Sequence, residues 1–128
     1  MWNISKIIKP DGSEINYRYN KSNLLQMTED EEGYREYMIY DSNGNLTDYA
    51  DRNENITRYE YDALNRISKK IAANGAETGY EYRYDGKLKK VTDALQGTEE
   101  FEYNRAGELT EVRQNGVKLK EYIYNSNG

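Results

Sequence analysis

The sequence predicts an all-β fold: an antiparallel β-hairpin repeat array of six 21-residue units and about twelve strands, forming a twisted, curling β-ribbon. Three observations carry that expectation. Aromatic residues return every 21 positions, apolar residues within each unit alternate with a period of two, and turn-forming residues interrupt them about every ten. A period of this size marks an array whose units each bury their face against their neighbours.

The columns are explicit. Tyr19, Tyr40, Tyr61, Tyr82, Tyr103 and Tyr124 follow one another at the full period, with no insertion. Two residues earlier stand Tyr17, Met38, Tyr59, Tyr80, Phe101 and Tyr122, so each unit offers two large side chains to one strand face. An aliphatic column, Ile4, Leu25, Leu46, Ile67, Leu88 and Leu109, starts each return strand. Between them lie Asn23, Gly44, Asn65, Gly86, Gly107 and Gly128, residue types that tolerate positive φ at the end of a turn.

Taken in order, Ile4 to Ile8 is a β-branched run ended by the turn Pro10-Asp11-Gly12-Ser13. Glu14 to Tyr19 alternates, Asn20 to Asn23 turns it back, and Leu24 to Thr28 returns into the acidic run Glu29-Asp30-Glu31-Glu32-Gly33, which reads as a solvated loop. The second unit runs Tyr34 to Tyr40, turns at Asp41 to Gly44, and returns over Asn45 to Ala50. The third runs Thr57 to Tyr61 and Arg66 to Ala72, with Asn74-Gly75 in the following turn. In the fourth, the alternating Tyr80, Tyr82 and Tyr84 predict a strand that extends further or bulges near Asp85. The fifth and sixth follow through Phe101 and Tyr103, Leu109 to Arg113, Asn115-Gly116 and Lys118 to Tyr124. Helix is a poor alternative, because no amphipathic stretch of three turns survives between the turn signals.

The motif Tyr40-Asp41-Ser42-Asn43-Gly44-Asn45-Leu46-Thr47, echoed from Tyr61-Asp62 to Ile67 and from Tyr103-Asn104 to Thr110, resembles the YD repeat of the RHS-repeat family. That family includes bacterial polymorphic toxins, cocoon subunits of insecticidal toxin complexes, wall-associated proteins and teneurins. The likeness covers essentially the whole chain. Asn replaces Asp after Tyr19, Tyr103 and Tyr124, and the fourth copy places its Tyr-Asp pair late, at Tyr84-Asp85. The resemblance implies a β-ribbon spiralling into a hollow shell of the RHS/YD type around a toxin or other cargo, in a secreted or cell-surface protein larger than this chain. The family's self-cleaving cassette has no counterpart here, so the implied role is a piece of shell wall.

Composition narrows the function. Residues 3–128 read as one array of six repeats with no linker, 126 residues in all. Ile, Leu, Val and Phe number only 21, and fourteen tyrosines supply the missing apolar surface. With 23 acidic against 18 basic residues and no basic run, nucleic acid is not expected as a partner. The start lacks the apolar core of a signal peptide, and no later stretch is apolar enough for a membrane span.

The chain has no histidine and no cysteine, which removes the usual general base, the thiol nucleophile and most transition-metal sites. Neighbours such as Glu99 and Glu100 point to opposite strand faces and cannot act as a carboxylate pair. Asp51-Arg52-Asn53-Glu54-Asn55 has a calcium loop's alternating oxygen donors but Ile56 at the glycine position, and reads as turn chemistry. The expectation is a non-enzymatic structural module with no catalytic, cofactor or metal residues. One alternative is a carbohydrate-binding surface module that stacks glycans on the tyrosine columns. Another is a head-to-tail ring or fibre, with Ile4 to Lys9 of one chain beside Leu119 to Tyr124 of an identical one. The phase, cut inside a hairpin at both ends, suggests a segment of a longer array. Its expected partners are therefore neighbouring RHS repeats or identical chains by edge pairing.

Overall fold

The structure, a computed structural model, describes residues 2–126. Twelve antiparallel strands form one open sheet in strict sequence order, with no helix among the described residues. The strands are β1 (Lys6–Ile8), β2 (Glu14–Tyr19), β3 (Leu25–Glu29), β4 (Arg35–Tyr40), β5 (Leu46–Ala50) and β6 (Ile56–Tyr61). They continue as β7 (Ile67–Ile71), β8 (Glu77–Tyr82), β9 (Leu88–Thr92), β10 (Thr98–Tyr103), β11 (Leu109–Gln114) and β12 (Val117–Glu121). The expected all-β hairpin array is the observed one.

Within each unit the aromatic strand meets its return strand across a bulge. Arg18 pairs with Met27 and Tyr19 with Leu25, and the same shift recurs before Tyr40, Tyr61, Tyr82 and Tyr103. The extra residue bends the strand and increases its local twist, so the sheet carries one increment of twist in each unit. Between units the ladder is shorter. Asp48 pairs with Arg58, Tyr49 with Thr57 and Ala50 with Ile56, and backbone pairing stops there.

The turns have one geometry at both ends of the ribbon. In the 62–66 turn the Asp62 amide donates to the Arg66 carbonyl and the Asn65 amide to the Asp62 carbonyl. The fourth residue takes positive φ: Asn23, Gly44, Asn65, Gly86 and Gly107 within units, and Gly12, Gly33, Glu54, Gly75 and Gln96 between them. Gly128 lies outside the described residues. The last connection differs, being a two-residue turn at Asn115-Gly116 with positive φ at both positions. A bulge between Val112 and Arg113 absorbs the shortening, so Val112 faces Lys120 and Glu111 faces Glu121 in the phase of earlier units.

Two expectations change. The fourth aromatic strand ends at Tyr82, as in every other unit, and its bulge lies at Glu81/Tyr82 rather than near Asp85. Arg83 takes the turn-opening place, Gly86 sets the positive φ, and Tyr84 sits at the turn tip, 97% exposed. Turn geometry at Gly86 therefore decides the register, and the extra tyrosine is left in solvent. The last strand ends at Glu121, so Tyr122 and Tyr124 follow it in non-strand backbone while holding the repeat phase.

No second layer covers the sheet. Only Met27 and Val112 are buried among the described residues, and the aromatic columns are half-buried until Tyr122 and Tyr124, which are exposed. The packing that exists runs laterally, strand to strand, as the tyrosine-rich and aliphatic-poor composition dictates.

Candidate functional site

The two main columns meet through a repeated hydrogen bond. Tyr61 stands opposite Ile67 in its own unit, while its hydroxyl reaches back one unit and donates to the Leu46 carbonyl at 2.7 Å. Leu46 lies two residues beyond Asp48, where the inter-unit ladder stops, so the phenol occupies the place of a missing backbone donor. Tyr40 does the same to Leu25 at 2.7 Å, Tyr82 to Ile67 at 2.7 Å and Tyr103 to Leu88 at 2.8 Å. Tyr19 on Ile4 at 2.9 Å and Tyr124 on Leu109 at 2.7 Å complete a six-rung seam.

The companion column fills the same face. Tyr17 faces Thr28, Met38 faces Tyr49, Tyr59 faces Lys70, Tyr80 faces Val91 and Phe101 faces buried Val112. Burial pushes the phenols of Tyr61, Tyr82 and Tyr103 upward, with Asp41, Asp62 and Asp85 nearby adding to the shift. These tyrosines stay protonated and able to donate.

Acidic or amide side chains accept backbone amides within the turns. Asp62 Oδ1 accepts the amides of Leu64 and Arg66 at 2.9 and 3.0 Å, and Oδ2 takes Arg66 Nε at 2.8 Å. Asp41 and Asp51 repeat the pattern, and backbone amides from Asn45, Asn55 and Arg66 hold the three carboxyls below the ordinary range. The Asp51 loop is thus turn chemistry, its Oδ1 facing the amides of Asn53 and Asn55. Among the described residues no acidic cluster is arranged to hold a metal ion.

A contact line that the column reading missed runs beside the seam. In the first three units the residue after the turn touches the next unit's turn: Asn3 bonds Asn23, Leu24 lies beside Gly44, and Asn45 Nδ2 donates to Asn65 Oδ1 at 2.8 Å. Arg66 instead stacks on the Tyr82 ring, 4.4 Å from its centre. The only sequence signal was the period itself, since these positions share no chemistry.

The opposite face carries ion pairs between neighbouring strands, interrupted by Met27, Tyr37, Ile39 and Ile56. Arg35–Glu29, Arg58–Asp48, Lys69–Glu77, Lys90–Glu100 and Lys118–Glu111 join neighbouring strands across it. The acidic run at 29–33 is less free than a solvated loop. Glu31 takes Lys9 at 2.5 Å, and Glu32 takes Arg52, which also stacks on Tyr34. Solvent screens these exposed pairs, so each adds little to stability.

The teneurin YD-shell family model matches residues 1–128, the whole chain. The chain belongs to that family. No curated protein matches it. Among solved structures it is similar to TcdB2-TccC3 lacking the hypervariable C-terminal region, with TM-score 0.76, 16% identity, and coverage of 92% of this chain and 7% of that one. It is also similar to TcdB2-TccC3 itself and to the Photorhabdus luminescens Tc holotoxin pore carrying a TccC3 mutation. Both have TM-score 0.70 at 16% identity, covering 83% of this chain and 6% of theirs. The likeness shows the fold. The chain spans less than a tenth of those proteins, and as a YD-shell array it is a structural shell module.

Proposed function

We propose that the array is a wall segment of a YD shell that encloses or presents a toxin or other cargo outside the cell, and that it carries out no chemistry of its own. The observation that carries this reading is the seam. A tyrosine hydroxyl closes the gap between every pair of successive units, so the sheet extends sideways as one continuous surface. The tyrosine that the repeat holds without exception goes into that continuity. The likeness in fold to the Photorhabdus luminescens Tc holotoxin pore supports a role in a toxin. For a glycan platform, the seam tyrosines would have to offer hydroxyls that already donate to backbone carbonyls, which leaves the wall as the better reading.

Electron cryo-microscopy of the complete gene product that carries residues 1–128 is the test. The expected result is this sheet curving as part of a wall around enclosed density. An array projecting into solvent with both faces uncovered would overturn the proposal.

A further inference from the structure

Asparagine followed by glycine carries a reactivity that the wall does not use. The glycine nitrogen, shielded by no side chain, can close on the asparagine side-chain carbon and expel ammonia. Three such pairs lie among the described residues: Asn43-Gly44, Asn74-Gly75 and Asn115-Gly116. A fourth, Asn127-Gly128, lies outside them.

The fold treats the three differently. The Gly44 amide donates to the Asp41 carbonyl at 3.1 Å and the Gly75 amide to the Ala72 carbonyl at 2.9 Å, so both nitrogens are engaged and their protons held. Their partners are held too: Asn43 Nδ2 donates to Asn65 Oδ1 at 3.2 Å, and Asn74 Oδ1 accepts the Ala76 amide at 3.0 Å. Asn115-Gly116 is instead the exposed two-residue turn between β11 and β12, with φ of 50° and 80°. Among the described residues the Gly116 amide has no partner. Asn115 Oδ1 accepts the Thr98 amide at 2.8 Å, so a donor already faces the oxygen that turns negative when Cγ is attacked. Beside it opens a cleft of about 110 Å³, lined by Asp93, Thr98, Glu99 and Gln114 among others, with room for water.

We infer that Asn115 is a site of spontaneous self-modification, converting to aspartate and isoaspartate through attack by Gly116. The Gly116 nitrogen gives its proton to solvent and bonds to Asn115 Cγ, Nδ2 takes up a proton and leaves as ammonia, and a succinimide ring closes. Water then adds to one of the two ring carbonyls and opens it, leaving aspartate or isoaspartate. One water is consumed and one ammonia released, with nothing oxidised or reduced. The two products differ in consequence. The Asn115 amide also donates to the Thr98 carbonyl at 2.8 Å, so this residue continues the β10–β11 ladder one pair past Glu99 and Gln114. Aspartate keeps the acceptor for Thr98. Isoaspartate adds a methylene carbon to the main chain of a two-residue turn, which breaks both bonds to Thr98. The inference is independent of whether the shell holds cargo.

The test holds the full chain, folded, in mildly alkaline buffer and follows the three sites by tryptic peptide mapping and mass spectrometry, with isoaspartyl methyltransferase identifying isoaspartate. Asn115 is expected to convert several-fold faster than Asn43 or Asn74. In concentrated urea the turns are lost, and the three rates are expected to converge. An Asn115 that stays intact in the folded chain, or converts no faster than Asn43 or Asn74, would overturn the inference. So would the same ranking in urea, because sequence rather than geometry would then set the rate. Hydrogen exchange reads the consequence: the Thr98 amide is expected to lose protection in the isoaspartate fraction and to keep it in Asn115→Asp. Protection retained in the isoaspartate fraction would contradict the break in the ladder.

Discussion

The Tyr61 hydroxyl donates to the Leu46 carbonyl at 2.7 Å, spanning 15 residues of chain and one boundary between units. The ring that carries it faces Ile67 in its own unit. One side chain thus packs within a repeat and bonds between repeats, which couples local hairpin formation to array growth.

Tyr61→Phe separates the two roles. The ring stays against Ile67 while the Leu46 carbonyl loses its donor, and the expected loss is about 1 kcal/mol. Tyr61→Ala removes the packing as well and is expected to cost clearly more than Tyr61→Phe. Equilibrium urea unfolding measures both, and equal losses would contradict a separate role for the hydroxyl.

Two between-unit turns hold a non-glycine residue in the left-handed region, Glu54 at φ 64° and Gln96 at φ 64°, where other units place Gly12, Gly33 and Gly75. Glycine at either position is expected to stabilise by about 0.5–1 kcal/mol, the relief of left-handed strain exceeding glycine's entropy in the unfolded chain. Thermal melts of Glu54→Gly and Gln96→Gly check this, and a lower Tm in both would contradict it.

These turns show where the sequence was legible. The hairpin order, the columns and the within-unit turn residues could be read because each repeats a residue type at a fixed step. The column through Glu54 and Gln96 was harder to read, since backbone geometry persists there without the side chain that usually announces it. The extra Tyr84 misled for the converse reason: it has the alternation of a strand, yet Gly86 sets the turn, and only the backbone reveals which signal prevails. The hydroxyl-to-carbonyl bond could not be read from spacing, because it depends on the inter-unit ladder ending at Asp48.

Asp62 acts on its turn through accepted amides and on Arg66 through its second oxygen. Asp62→Asn keeps an acceptor for both amides and is expected to lower Tm slightly. Asp62→Ala leaves them without a side-chain partner, and a larger drop is expected from the same calorimetric comparison. Identical drops would mean that the ion pair, rather than the turn, is the stabilising contact.

The pH dependence has two limbs. Asp41, Asp51 and Asp62 titrate below their ordinary range when folded, so their contribution is present above the unfolded aspartate pKa of about 3.9 and is lost as pH falls through the folded values. Tyr61, Tyr82 and Tyr103 titrate above theirs, so their contribution is present below about pH 10 and is lost as pH rises through the folded values. Stability measured by denaturant midpoint is expected to plateau between these windows and fall at both ends. With no histidine in the chain, a step near neutrality would contradict this assignment.

Native-state hydrogen exchange on Tyr61→Phe tests the seam most directly. The account predicts that protection falls chiefly at the β5–β6 boundary, around Asp48 to Ala50 and Ile56 to Arg58, while boundaries several units away keep theirs. Unchanged protection at that boundary, or an equal loss along all twelve strands, would show that the tyrosine rungs do not join unit to unit.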